Sequence, residues 1–231
     1  MRHLLFCSLI FISTLAKAQF LEFGGGIGGF NYSGDLVRGY KVTNTRPGFN
    51  IHHRQNYSRI VSVRYGLSAG YISASDDDPI DAFAVERARS FDVTVIEASV
   101  LFEYHFLDYK HKDSPVRWSP FAFVGVGFSK WNNTDATQDF SKIQPAIPMG
   151  LGVKKLIGKR FSLDFEFGIR KTFFDYIDGI SDTDDLAIKD YQYGNPNLDD
   201  WYMYTGISLN FIIYKIPCPF PYEPNKFMLK R

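Results

Sequence analysis

Cysteine is nearly absent: the 231 residues hold two, Cys7 and Cys218, too few to staple a small disulfide scaffold. Long apolar runs are also missing. Beyond the N-terminus no stretch approaches the roughly 18 residues that a membrane-spanning helix needs. Nor is there a surplus of charge. Lys plus Arg number 26 against 25 Asp plus Glu, a formal net charge of +1, whereas a nucleic-acid binder needs a basic excess to displace phosphate counterions. Helical periodicity of useful length is lacking too. What the chain has in excess is aromatic: 22 Phe, 14 Tyr and 3 Trp make 17% of it, beside 19 Gly. Hydrophobic residues reach 45% and charged ones 22%, which excludes a disordered tail and leaves a glycine- and aromatic-rich β protein.

Residues 1–18 read as a secretory signal. Arg2 and His3 give the basic start, Leu4 to Leu15 the apolar centre, and Ala16-Lys17-Ala18 the small-x-small cleavage site. Cleavage there makes Gln19 the mature N-terminus and leaves Cys218 as the single cysteine, so no intrachain disulfide is expected.

From residue 19 onward the pattern is period two, the repeat of a strand with two unlike faces. In Phe161 to Arg170 every odd position is apolar and every even one is polar, charged or Gly. In 201–213 Trp201, Met203, Ile207, Leu209, Phe211 and Ile213 oppose Tyr202, Tyr204, Gly206, Ser208 and Asn210. Strands are predicted at 20–32, 48–57, 62–75, 90–107, 118–130, 145–157, 160–171 and 200–215. Several run ten residues or more, about the length of a tilted transmembrane strand. The connections alternate: 33–47, 76–89, 131–144 and 172–199 are long, polar and acidic, while 58–61 and 157–160 are tight and 108–117 is intermediate. Tyr57, Trp118, Trp131, Trp201 and Tyr214 near strand ends suit interfacial girdles. The expectation is an all-β, eight-stranded antiparallel transmembrane barrel over 19–215 in the outer membrane, with both termini periplasmic. A secreted sandwich is the rival fold.

The same alternation turns Glu22, Arg54, Arg64, Glu97, Glu103, Lys154, Asp164, Glu166 and Arg170 inward, with His52 and His105. Five carboxylates face four fixed cations. Eight strands enclose a space that side chains can fill, and buried charges persist only when paired. The lumen is therefore expected to be plugged by a closed ion-pair network, with small inward residues such as Gly24, Gly26, Gly66, Gly125, Gly150 and Gly168 making room for large ones.

Other motifs fail on context. Gly24 to Gly29 matches G-x-G-x-x-G, but no helix follows it, so no nucleotide is expected. Adjacent His52 and His53 point to opposite faces of a strand and cannot share a metal, and His105 and His111 lack neighbouring ligands. The acidic runs 76–78 and 182–185 lack an EF-hand spacing. A Ser/His/carboxylate lipid-modifying barrel is conceivable, but no G-x-S-x-G elbow exists. No catalytic residue, metal or cofactor is expected.

Two features lie at the C-terminus. Tyr204 to Phe211 carries a Gly followed by hydrophobic residues three and five positions later, the form of a last-strand assembly signal. Residues 216–231 then hold four prolines, which forbid regular structure, and end in Lys226-Phe227-Met228-Leu229-Lys230-Arg231. This tail reads as a periplasmic tether or docking peptide.

Three stretches together resemble the PorG-type outer-membrane barrels of the type IX secretion and gliding machinery. They are Phe23 to Gly29 leading to Asn31-Tyr32-Ser33-Gly34-Asp35-Leu36, the segment from Arg170 through Thr172, Asp175, Tyr176 and Asp178 to Ser181, and Gly194-Asn195-Pro196-Asn197 with Asp200-Trp201-Tyr202. The resemblance implies a non-enzymatic barrel that ties a periplasmic ring of PorK- and PorN-like proteins to the outer membrane. Partner contacts are expected in the periplasmic turn (Asp108, Tyr109, Lys110, His111, Lys112) and in the tail (Cys218, Lys226, Phe227, Met228, Lys230, Arg231). The rival roles are an adhesion barrel acting through its outer loops, a lipid-modifying enzyme, and a channel.

Overall fold

The computed structural model describes residues 20–33, 39–75, 90–110, 114–133, 143–172 and 201–214. Eight strands appear: β1 (Phe20–Ser33), β2 (Arg46–Asn56), β3 (Val61–Ser75), β4 (Ser90–His105), β5 (Trp118–Asn133), β6 (Ile143–Ile157), β7 (Phe161–Thr172) and β8 (Trp201–Tyr214). A single 3-10 turn at Val42–Asn44 leads into β2. All eight expected strands are present, none displaced by more than three residues at either bound. Each pairs antiparallel with its neighbour, and β1 closes on β8 to make a barrel. The open-sandwich alternative is thereby excluded.

The register sets the shape. From Leu21 the partners run Gln55, Val63, Phe102, Val124, Met149, Ile169 and Met203, and Met203 returns to β1 at Asn31, ten residues beyond the start. A stagger of ten across eight strands about 4.8 Å apart tilts the strands by roughly 40° from the barrel axis. Passing from β1 to β8, the register climbs from the end that carries the short turns and both strand termini toward the end that carries the long connections.

The two faces differ as the alternation requires. The outer wall is apolar and open: Ile27 is 76% exposed, Leu151 63%, Val126 62% and Phe128 60%. Such a belt has no place in water and fits a bilayer. The inner face is polar around two aromatic clusters: Phe30, Tyr32, Ile72, Val93, Val95, Trp131, Tyr202 and Tyr204 toward the long-loop end, and Leu101, Phe121 and Phe123 nearer the short turns.

Glycines make these clusters fit. The Phe30 ring lies where a Cβ on Gly48 or Gly70 would stand, and the Phe123 ring occupies the space beside Gly150 and Gly168. A Cβ at Gly150 would also meet the backbone of Phe167 and Gly168, which cannot yield as a flexible side chain could. Gly25 faces outward and has nothing nearer than 3.7 Å. Gly150→Val is therefore expected to abolish or severely impair barrel assembly, while Gly25→Val leaves it within about 1 kcal/mol of the parent. The heat-sensitive gel mobility of the folded barrel measures both.

One aromatic departs from expectation. Trp131 is 8% exposed and belongs to the lumen, where its indole N–H donates to Ser129 Oγ at 2.9 Å and its ring meets Tyr202 edge-on at 5.2 Å. It shares the inward parity of Gly125 and Ser129, so its position near a strand end misled where the alternation would not have. Trp118 (47% exposed) and Tyr57 (38%) do face outward near the short-turn end.

Candidate functional site

The nine charged residues assigned to the lumen are all buried and all engaged there. Arg54 is their hub. From β2 its guanidinium meets Glu22 of β1 at 2.9 Å, Glu103 of β4 at 2.7 Å and Asp164 of β7 at 2.7 Å. Lys154 of β6 pairs with Glu22 and lies 3.8 Å from Asp164. Asn56 adds a hydrogen bond to Glu22 at 2.8 Å. One layer higher, Arg64 of β3 bridges Glu103 (2.7 Å) and Glu166 (2.5 Å). Higher still, Arg170 of β7 meets Glu97 of β4 at 3.3 Å, and the Tyr202 hydroxyl donates to the same carboxylate at 2.5 Å. Each charge thus has an opposite partner supplied by another strand, the condition under which buried ions are tolerated.

Neutral polar groups complete the packing. Asn50 donates to the Tyr204 hydroxyl at 2.7 Å, and His52 Nε2 and Asn210 Oδ1 are 2.6 Å apart. His52 points inward while His53 points out, as adjacent strand residues must. Ring planes of cation and aromatic pairs fill the gaps: Arg64 lies over Phe123 at 5.3 Å and Arg170 over Tyr204 at 5.2 Å. A lumen cavity bordered by Arg64, Glu97, Glu166 and Arg170 amounts to about 20 Å³, room for about one water molecule.

The short-turn end is shut by the β4–β5 connection. Tyr109, 2% exposed, turns into the barrel and packs against His105 at 5.1 Å, with Lys154 5.9 Å above its ring. Lys110 follows it inward and donates to Ser62 Oγ at 2.7 Å. Strand alternation could not reveal it as an inward group, because it lies in a turn. Two of the proposed partner-binding side chains are thus occupied in closing the barrel. Asp108 stays at the rim and pairs with Arg59 at 3.3 Å. His111 and Lys112 lie outside the described residues, as do the whole 216–231 segment with Cys218, Lys226, Phe227, Met228, Lys230 and Arg231, and Asp175, Tyr176 and Asp178. Of the resemblance-bearing stretch, Arg170 and Thr172 are described, and both are buried on the inner face of β7.

Burial raises the Tyr109 phenol well above its ordinary range and pulls the Lys110 amine down to about 7. For Lys110 the cause is loss of hydration, with Glu22 pulling the other way. A lysine depressed on folding destabilises the native state fully below pH 7, and that penalty disappears as the pH rises toward its unfolded value near 10.5. Lys110→Met is expected to gain about 1–2 kcal/mol on the parent at pH 6, discounted for partial hydration, and to lose that advantage by pH 10. Urea midpoints at the two pH values measure the difference.

Sequence reasoning did not count Tyr202, Asn50 and Asn210 as network members, although their inward parity was legible. Among the described residues no group of three His, Cys, Asp or Glu side chains is arranged to hold a metal ion.

Comparison with solved structures finds the same architecture in Neisserial surface protein A. Neisserial surface protein A superposes with a TM-score of 0.51 at 8% identity, over 84% of this chain and 96% of that one. Ail of Yersinia pestis, solved with the heparin analogue sucrose octasulfate, gives 0.48 at 12% identity over 84% and 98%. OprG of Pseudomonas aeruginosa gives 0.43 at 7% over 86% and 98%. No curated protein matches the sequence. The family described as a domain of unknown function (DUF6089) matches residues 1–222, and this chain, a closed eight-stranded barrel of the outer-membrane type, belongs to it.

Proposed function

We propose that the chain is a non-enzymatic outer-membrane barrel that serves as a structural subunit of a type IX secretion apparatus. Its termini and short turns face the periplasm, and there it anchors a ring of PorK- and PorN-like partner proteins. The observation that carries this reading is the closed, charge-compensated lumen. Among the described residues the lumen is filled by paired charges and closed at the short-turn end by Tyr109 and Lys110, which supports work at the exposed surfaces rather than conduction. At the short-turn end the described rim is basic: Arg59, Arg117, Lys159 and Arg160 are exposed, and the acidic Asp108 is paired with Arg59. Arg117 also donates to the Gly158 carbonyl at 3.1 Å, tying two turns into one surface. An acidic periplasmic face would complement it.

The test is a detergent pull-down of tagged protein from outer membranes, with the full chain, with residues 216–231 deleted, and with Arg59, Arg117, Lys159 and Arg160 changed to Glu. Stoichiometric periplasmic ring proteins are expected with the full chain. Their loss on truncation would place the contact in the tail, and their loss on charge reversal would place it on the rim. A barrel recovered alone in every case would overturn the proposal.

A further inference from the structure

The outer wall is not evenly convex. A groove of about 590 Å³ crosses it from Phe23 and His53 on β1 and β2 to Val126 and Phe128 on β5. Ala98 lies on its floor, between its taller register partners Leu67 and Phe128. Five strands about 4.8 Å apart give it a length of roughly 19 Å. Because the register climbs from β1 toward β8, the β1–β2 end lies nearer the short turns and the β5 end nearer mid-wall.

The two ends differ chemically. At the lower end, side chains of the outer face form a polar relay: the Tyr57 hydroxyl donates to Gln55 Oε1 at 2.9 Å, and Gln55 Nε2 donates to His53 Nε2 at 3.3 Å. His53 is held between Phe23 at 4.6 Å and Tyr65 at 6.3 Å. Polar side chains on a lipid-facing wall are costly and persist where they have partners. The upper end, by contrast, is wholly apolar.

We propose that this groove is a binding site for one phospholipid of the leaflet on the short-turn side. The groove opens sideways to hydrocarbon, so an acyl chain is the group that reaches it. The gradient along it matches such a molecule, with a chain lying across Ala98 toward Phe128 and the ester end of the lipid beside the polar end at His53 and Tyr65. Lipid tails gain nothing hydrophobic by leaving other tails, so the fit of a chain over the low floor at Ala98 supplies the selectivity.

The test uses the full chain reconstituted in vesicles of phosphatidylethanolamine and phosphatidylglycerol containing a phosphatidylethanolamine with a diazirine on its acyl chain. Irradiation followed by peptide mapping is expected to concentrate cross-links on the groove rather than around the wall. Ala98→Leu, which raises the floor, is expected to cut that labelling on the order of five-fold, and His53→Leu to weaken it. Ala122→Leu, outward on β5 but outside the groove, is expected to change nothing. Folding of each variant is checked by gel mobility, and His53→Leu serves if Ala98→Leu does not assemble. Even labelling around the wall, or full labelling of Ala98→Leu, would mean bulk lipid only and overturn the site. Stronger labelling by a diazirine fatty acid than by the phospholipid would overturn the assignment of the occupant.

Discussion

Arg54→Met is expected to lower the unfolding free energy of the barrel by about 3–5 kcal/mol, the range for breaking one partner out of a buried ionic cluster. The side chain is fully buried and meets three carboxylates from three other strands within 2.9 Å. Methionine fills much of the volume, so the loss is electrostatic rather than a cavity. Glu103 keeps Arg64, and Glu22 and Asp164 keep Lys154, but one cation is then asked to hold charges that two held before. Adding Glu103→Gln removes a carboxylate along with the guanidinium and should recover part of the loss, because replacing both members of a buried pair costs less than orphaning one. Urea midpoints in detergent give both numbers. Added salt should not reproduce the effect, since buried pairs are screened weakly. An Arg54→Met barrel with an unchanged midpoint would mean that water or rearranged side chains already carry these charges, and that the lumen is not held by its ions.

The fold was legible because each strand carries two chemically opposite faces. In Phe161–Thr172 the alternation of exposed Phe and Leu with buried Ser, Asp and Glu is visible in the letters and is reproduced residue for residue in the structure. The inward charges followed from the same parity, and their near balance in number implied pairing before any distance was known. Which charge meets which did not follow. That depends on the stagger of ten, and a stagger is a property of closure rather than of any one strand. Arg54 meets Asp164 across 110 positions of sequence because the register lifts β7 to its level.

What was missed lies where parity stops. Tyr109 and Lys110 belong to a turn, and turn residues carry no period to say whether they face solvent or fold back. A tyrosine beside a lysine in a polar connection reads as an exposed docking element, the role expected for 108–112. The groove was hidden for another reason: it arises from the small Ala98 standing between larger residues on neighbouring strands, and only the register brings those together.

Tyr109→Ala separates the two meanings a closed end can have. The ring is 2% exposed and packed between His105 and Lys154, so its removal is expected to cost about 2–4 kcal/mol, slightly less than for a rigid core because a turn can collapse into the gap. Tyr109→Phe should cost nothing or stabilise slightly, since the hydroxyl is buried without a hydrogen-bond partner among the described residues. Planar-bilayer recordings then decide the role. If Tyr109 only packs, the alanine barrel unfolds at lower urea but stays electrically silent, because the layer of Arg54, Glu22, Glu103 and Asp164 still blocks the lumen. If Tyr109→Ala conducts, the paired charges beneath it rearrange once the cap is gone, the turn is a gate, and the reading of this barrel as a solid anchor falls with it. Silence together with lost stability fits the proposed anchor, a barrel that works through its exposed surfaces and not through its lumen.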